Sequence, residues 1–343
     1  GLVRLLNRAG VVLLSVKYED SPPWPVAADG AGHSLVLARP SLGESNALAW
    51  AASRRIGGSP GAPEPDDVEP LANIRINEVR ARSSENAEAF IELYNHSNEP
   101  LDLSGCTLTN APGTNSSSTG LSLGTVIPPR GHLAFEPSQL GFEFDPFEGS
   151  VFLMNSNQTR VLDAMHCNGQ VPGTSLGRFP DGAPEIYAFL PPTPDAPNRR
   201  PPPPDVIINE ISYHPIANGL GAEFIELFNR GTNKVDLNGW RISGGIDYTF
   251  PCCDTVYPGE YRVLRSGTGL LGGLSDFGER LVLRWPFSTV TTNAATGEVE
   301  TNTADIVVQE VNYRPGGRWG HWSAGGGATL ELADAHAHSR WAP

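Results

Sequence analysis

Two sets of glutamates in this chain invite a chemical reading. Glu78, Glu88 and Glu92 cluster around one strand-like segment, and Glu210, Glu223 and Glu226 around another. Paired carboxylates can exchange protons with a substrate or hold Ca²⁺. They can also cap turns and accept backbone hydrogen bonds at the rim of a sheet. No histidine or nucleophile accompanies either set, so the structural role is the expected one. A Ca²⁺ site on Glu78, Glu92, Glu210 and Glu226 is the alternative, and otherwise no cofactor is expected. The histidines are scattered. His336 and His338 are spaced to share one face of a strand, which reads as a surface pair. No Ser-His-Asp arrangement is legible, and the glycines at 219, 221 and 325–327 read as turns rather than phosphate cradles. No catalytic residue is expected. Cysteines fall at 106, 167, 252 and 253, without the Cys-x-x-Cys spacing of a thiolate metal site. Of the seven tryptophans, Trp285 and Trp322 are the candidates for a binding surface. Asn95, Asn115 and Asn157 begin glycosylation triplets that matter only in a eukaryotic secretory route.

The elements that must position these residues repeat. Ile76-Asn77-Glu78-Val79, Phe90-Ile91-Glu92-Leu93 and Leu101-Asp102-Leu103-Ser104-Gly105-Cys106 return as Ile208-Asn209-Glu210-Ile211, Phe224-Ile225-Glu226-Leu227 and Val235-Asp236-Leu237-Asn238-Gly239-Trp240, 132 to 134 positions later. A second set joins the two ends. Val16-Lys17-Tyr18, Trp24 and Leu35-Val36-Leu37 match Val311-Asn312-Tyr313, Trp319 and Leu330-Glu331-Leu332 at a constant offset of 295. The expected organisation is the closing half of a repeat at 1–63, a Pro- and acid-rich linker at 64–73, a complete repeat at 74–198, a polyproline linker at 199–205 and a nearly complete repeat at 206–343. The chain opens on Gly, with Met only at 154 and 165, which suggests an internal piece of a longer precursor.

Composition narrows the fold. Gly (38) and Pro (31) make up about one residue in five of 343, well above the usual ~12%. That suits short strands joined by turns and disfavours long helices. Phe90, Glu92 and Tyr94 alternate with Ile91 and Leu93, the two-residue period of a strand. The net charge of −14 argues against a nucleic-acid partner. No apolar run approaches the ~18 residues of a membrane span.

Taken together, the Ile-Asn-Glu, Phe-Ile-Glu-Leu-Phe-Asn and Val-Asp-Leu-Asn-Gly-Trp blocks resemble the opening of the lamin tail domain family. Pro23-Trp24-Pro25, Gly32-His33-Ser34-Leu35-Val36-Leu37 and Ser59-Pro60-Gly61-Ala62-Pro63 resemble its closing half. The resemblance implies an all-β chain of tandem Ig-like β-sandwiches, the first unit partial, with no catalysis of its own. It also implies a bacterial protein that is secreted, at the cell surface or in the periplasm. The function expected is a structural or protein-interaction module whose partners are another protein or neighbouring repeats. An accessory binding segment of a secreted hydrolase is the alternative.

Aligning the repeats puts Cys106 where the third has Trp240, and Cys167 where it has Tyr313. If those two aromatics touch, a Cys106–Cys167 disulfide is expected; buried free thiols are the alternative. Adjacent Cys252 and Cys253 are open to the same two readings, with oxidation favoured. Finally, a half-sandwich at 1–63 would expose its inner face, so either the missing half of the same repeat or a neighbouring repeat or chain is expected to cover it.

Overall fold

A computed structural model describes residues 1–20, 23–44, 46–66, 69–81, 89–113, 119–142, 149–167, 170, 173–199, 203–216, 221–265, 271–292, 299–316 and 319–335. The chain divides into two compact units, residues 1–200 and 201–343. Both are built almost wholly of strands, and the fold is an all-β sandwich. Glu88, Asn115, His336 and His338 lie outside the described residues.

The first unit opens with two separate strand pairs. They are β1 (Leu2–Leu6) with β2 (Val12–Lys17), and β3 (Leu35–Leu37) with β4 (Trp50–Ala52). The sandwich follows: β5 (Ile74–Arg80), β6 (Phe90–Asn95), β7 (Leu101–Asp102), β8 (Thr107–Thr109), β9 (Thr119–Gly120), β10 (Val126–Ile127), β11 (His132–Phe135), β12 (Ser150–Met154), β13 (Val161–His166), β14 (Ser175–Arg178) and β15 (Ile186–Phe189). One sheet runs β11-β6-β5-β14-β15 and the other β13-β12-β8-β9. Alternating aliphatics from the two inner faces, among them Ile76, Leu93, Leu108 and Leu153, are fully buried between them.

Residues 1–63 pack on the outer face of that second sheet. Ala27 and Ala31 cover Phe152, Met154 and Val161. His33 sits between the two segments: Nδ1 lies 2.7 Å from the Ser53 carbonyl, and Nε2 accepts the Val161 N–H at 3.0 Å. One nitrogen donating and the other accepting requires the neutral ring, and burial lowers the His33 pKa.

The second unit comprises β16 (Val206–Ser212), β17 (Phe224–Asn229), β18 (Val235–Asp236), β19 (Arg241–Ser243), β20 (Ile246–Thr249), β21 (Thr255–Val256), β22 (Tyr261–Arg265), β23 (Leu271–Gly272), β24 (Glu279–Thr292), β25 (Val299–Tyr313) and β26 (Leu330–Glu331). Its sheets run β22-β17-β16-β26 and β23-β20-β19-β24-β25. This is the strand order of the first sandwich, without a counterpart of β15 and with β23 added beside β20. Trp240, Ile242, Leu281 and Tyr313 fill the core between the sheets.

This register overturns the Cys106–Cys167 bridge. All four cysteines are free. β12 lies between β8 and β13. Cys106 precedes Thr107, which faces Met154 at one end of β12, whereas the Cys167 N–H bonds to Gly149 O beyond the other end. The two residues stand two strands apart, at opposite ends, far outside the ~7 Å Cα separation a disulfide tolerates. Tyr313 correspondingly packs on Tyr213, with ring centroids 4.6 Å apart. Burial pushes the Cys106 thiol to about 11 and the Cys167 thiol to about 12. Cys252 and Cys253 are exposed and free, not joined as the sequence suggested.

A paired-carboxylate site and its closure

The recurring Ile-Asn-Glu motif forms a β-bulge. In the β5–β6 ladder the register breaks between Ile76 and Glu78, and in β16–β17 it breaks between Ile208 and Glu210. The extra residue is Asn77 or Asn209, and a bulge re-aims the side chains beside it. As a result Glu78 faces Glu92 directly across the ladder, and Glu210 faces Glu226. Like charges placed directly opposite repel, so each unit must supply donors or a proton.

The first unit supplies both. Asn77 Nδ2 donates to Glu92 Oε1 at 2.9 Å and to Asp181 Oδ1 at 3.1 Å, while its Oδ1 accepts the Gly182 N–H at 3.0 Å. Glu78 accepts the Ser175 hydroxyl, the Thr193 N–H at 3.0 Å and the Thr193 hydroxyl at 2.8 Å. Thr193 belongs to a strap, residues 193–198, that closes over the pair. Asn198 ties the strap down, donating from Nδ2 to Asn77 O at 3.2 Å and Arg178 O at 2.8 Å, and from its backbone N–H to Asp181 Oδ1 at 3.0 Å. Gly177 makes this approach possible: a Cβ there would lie 2.8 Å from both Asn198 Nδ2 and Asn77 O.

Under the strap, Asn77, Glu78 and Glu92 are completely buried. Burial raises the Glu92 carboxyl to about 8, with the Glu78 charge adding to it and Asn77 and the Asp195 backbone opposing. Burial also raises Glu78, partly offset by Ser175 and Thr193. Asp181 shifts the other way. Burial would raise it, but hydrogen bonds from His132, Asn77 and Asn198 outweigh that and lower it.

Among the described residues, the second unit repeats the bulge without this closure. Asn209 Nδ2 donates to Glu226 Oε1 at 3.0 Å, and the Thr329 hydroxyl donates to Glu210. Both carboxylates remain partly exposed. Glu223, which the sequence grouped with them, accepts the Leu274 N–H at 3.1 Å instead.

A further clamp joins the sheets. Asp163 accepts the Ile76 N–H at 2.8 Å and pairs with Arg178 at 3.0 Å, and Arg178 Nε donates to Ile76 O at 2.8 Å. In the second unit one side chain, Gln309, meets both the N–H and the C=O of the matching Ile208. The sequence assigned no role to Asp163, Arg178, Ser175, Thr193 or Gln309. Their partners lie 15 to 115 positions away, and no local spacing announces them.

The chemistry available here is limited. Donors occupy both Glu78 oxygens and Glu92 Oε1, while Glu92 Oε2 is buried without a hydrogen-bond partner; a Ca²⁺ shell needs several oxygen acceptors turned toward one point. Among the described residues, no group of three or more His, Cys, Asp or Glu is arranged to hold a metal. Among the described residues, no nucleophile–base–orienter series converges on the pair. Asn95 and Asn229 are also structural. Both are fully buried, and their Nδ2 atoms donate to Ile127 O and Val256 O, at 3.0 and 2.9 Å. Trp285 is half-buried, packs on the core and lies 5.0 Å from Phe287, whereas Trp322 is 76% exposed.

The bulge, the paired strands and the core aromatic after the Asp-Leu-Asn-Gly turn define an Ig-like sandwich module. Residues 199–337 match the Lamin Tail Domain family, a family of Ig-like modules. No curated protein matches the chain. Among the described residues no helix is long and apolar enough to cross a membrane.

Proposed function

We propose that the chain is a run of lamin-tail-type sandwiches at 1–63 (partial), 74–198 and 206–343, joined by linkers at 64–73 and 199–205. It acts as a structural and protein-interaction segment of a larger bacterial protein that is secreted or held in the cell envelope. It has no catalysis of its own and needs no metal.

One observation carries this reading. The same Asn bulge with facing glutamates recurs in both units, and in each the fold itself provides the donors. A carboxylate pair spent on holding strands together is not free to turn over a substrate. The packing of residues 1–63 on β12–β13 favours neighbouring repeats as partners. The extracellular setting rests on the resemblance alone, because free thiols no longer argue for an oxidising compartment.

Two measurements test the reading. Protease treatment of intact source cells should release peptides of this chain; recovery from the cytosol alone would overturn the localisation. Urea midpoints of the purified chain should be equal in EDTA and in millimolar Ca²⁺, and a Ca²⁺-dependent rise would restore the metal site at Glu78, Glu92, Glu210 and Glu226. Exposed Trp322 favours a second reading, an accessory segment that presents a ligand to a separate hydrolase domain. Loss of ligand retention in Trp322→Ala would support it.

A further inference from the structure

Three hairpins in this chain share one irregularity. The register breaks between Leu5 and Leu6 in β1–β2, between Leu153 and Met154 in β12–β13, and between Leu283 and Arg284 in β24–β25. This makes Val3 and Leu5 the counterparts of Val151 and Leu153, and of Leu281 and Leu283. In the last two hairpins an antiparallel third strand follows. β8 sets Leu108 opposite Leu153, and β19 sets Ile242 opposite Leu283. There Val151, Leu153, Leu281 and Leu283 are fully buried. In β1–β2 no third strand is present among the described residues, and Val3 and Leu5 are 59% and 56% exposed.

A second edge is open in the same way. β14 pairs with β5 through Leu176–Val79, and β26 pairs with β16 through Leu330–Ile211. The matching strand β3 pairs only with β4 among the described residues. Residues 1–63 therefore hold out two strand edges and an apolar face, each of which is filled in both other sandwiches.

We infer that this surface receives the opening half of a lamin-tail-type sandwich. Its occupant is a polypeptide that adds one strand to β1 and one to β3. The strand on β1 reads polar–aliphatic–polar, as Thr107-Leu108-Thr109 and Arg241-Ile242-Ser243 do, with the aliphatic residue opposite Leu5. The inference rests on reading 1–63 as a closing half. A second copy of this chain fits less well, because pairing β1 with β1 satisfies one edge and leaves the β3 edge and the face between them open. Two-stranded hairpins are marginal alone in water, and free edges invite addition of a strand.

The chain can be tested whole. The register makes Gly1 the counterpart of Glu279, so a copy of residues 206–278 can be fused directly ahead of Gly1. Hydrogen exchange of Leu2–Leu6 and Leu35–Leu37 is then compared with the parent. The fusion should slow exchange at both edges by about 100-fold or more and remain monomeric. Leu5→Lys, a change at an exposed position that leaves the parent chain folded, should abolish the protection. Unchanged exchange at either edge would overturn the inference. So would a parent chain that already dimerises and becomes monomeric with Leu5→Lys, since the occupant would then be a second copy. Exchange in β16–β17 of the same sample reports separately on the sandwich reading, which survives if those strands stay protected.

Discussion

β6 and β17 carry nearly the same sequence, Phe-Ile-Glu-Leu-Tyr-Asn and Phe-Ile-Glu-Leu-Phe-Asn, yet they live in different surroundings. Every residue of β6 is buried, whereas β17 alternates between half-exposed and buried. Their inner faces are alike. The difference lies outside, where the strap at 193–198 covers Glu92. A sandwich strand buries one face by its own pattern; the second face depends on what the chain lays across it later. The same motif therefore holds a protonatable buried carboxyl in one unit and a partly solvated one in the other.

Breaking the clamp between the sheets should separate the units most. Asp163→Ala leaves Arg178 buried without its charge partner, and is expected to cost the first unit about 3–5 kcal/mol. Gln309→Ala removes a neutral tie to Ile208 and should cost the second unit about 1–2 kcal/mol. Urea unfolding followed by hydrogen exchange in each unit measures both. Equal losses would mean that the two clamps are interchangeable.

Thr193→Val tests the strap. It removes the hydroxyl to buried Glu78 and is expected to cost about 1–3 kcal/mol. Thr329→Val, beside partly exposed Glu210, should cost less.

Acidity sharpens the contrast. Glu92 has a raised carboxyl, so the folded first unit holds a proton that the unfolded chain gives up near the ordinary glutamate value of ~4.3. That contribution is complete below about pH 4 and is lost as pH rises toward 8, with a slope of at most about 1.4 kcal/mol per pH unit. Glu92→Gln should flatten the dependence. His33 runs the other way. With its pKa lowered, its contribution is present above about 6.5 and is lost as pH falls further. The protection factor at Val161 should therefore fall in acid before that of the rest of β13 does. The smallest effect expected is from Trp322→Ala, within about 0.5 kcal/mol on stability.

Much of this was legible in the sequence. The all-strand fold, the matching blocks and the recurrence of the glutamates follow from two-residue alternation and from motifs a fixed distance apart, whereas their facing one another depends on the bulge. The bulge was hidden in plain view, because Asn77 and Asn209 stand inside the recurring motif with nothing in their spacing to mark a break in register. The Cys106–Cys167 pairing failed for the same reason. Aligning repeats shows which positions correspond, but only the strand order shows that β24 separates Trp240 from Tyr313, with Tyr313 opposite Glu279 and the residue after Trp240 opposite Arg284. The strap was out of reach, since a threonine 115 residues beyond Glu78 carries no local sign of its partner.

The central claim is that the Glu78–Glu92 pair is a closed structural element rather than a reactive or metal-binding site. A ¹³C-detected pH titration of the Glu92 side-chain carboxyl tests it most directly. The account expects a midpoint near 8 that is unmoved by millimolar Ca²⁺ and lowered when Thr193→Val loosens the strap. A midpoint in the ordinary carboxylate range, or one that Ca²⁺ displaces, would contradict it.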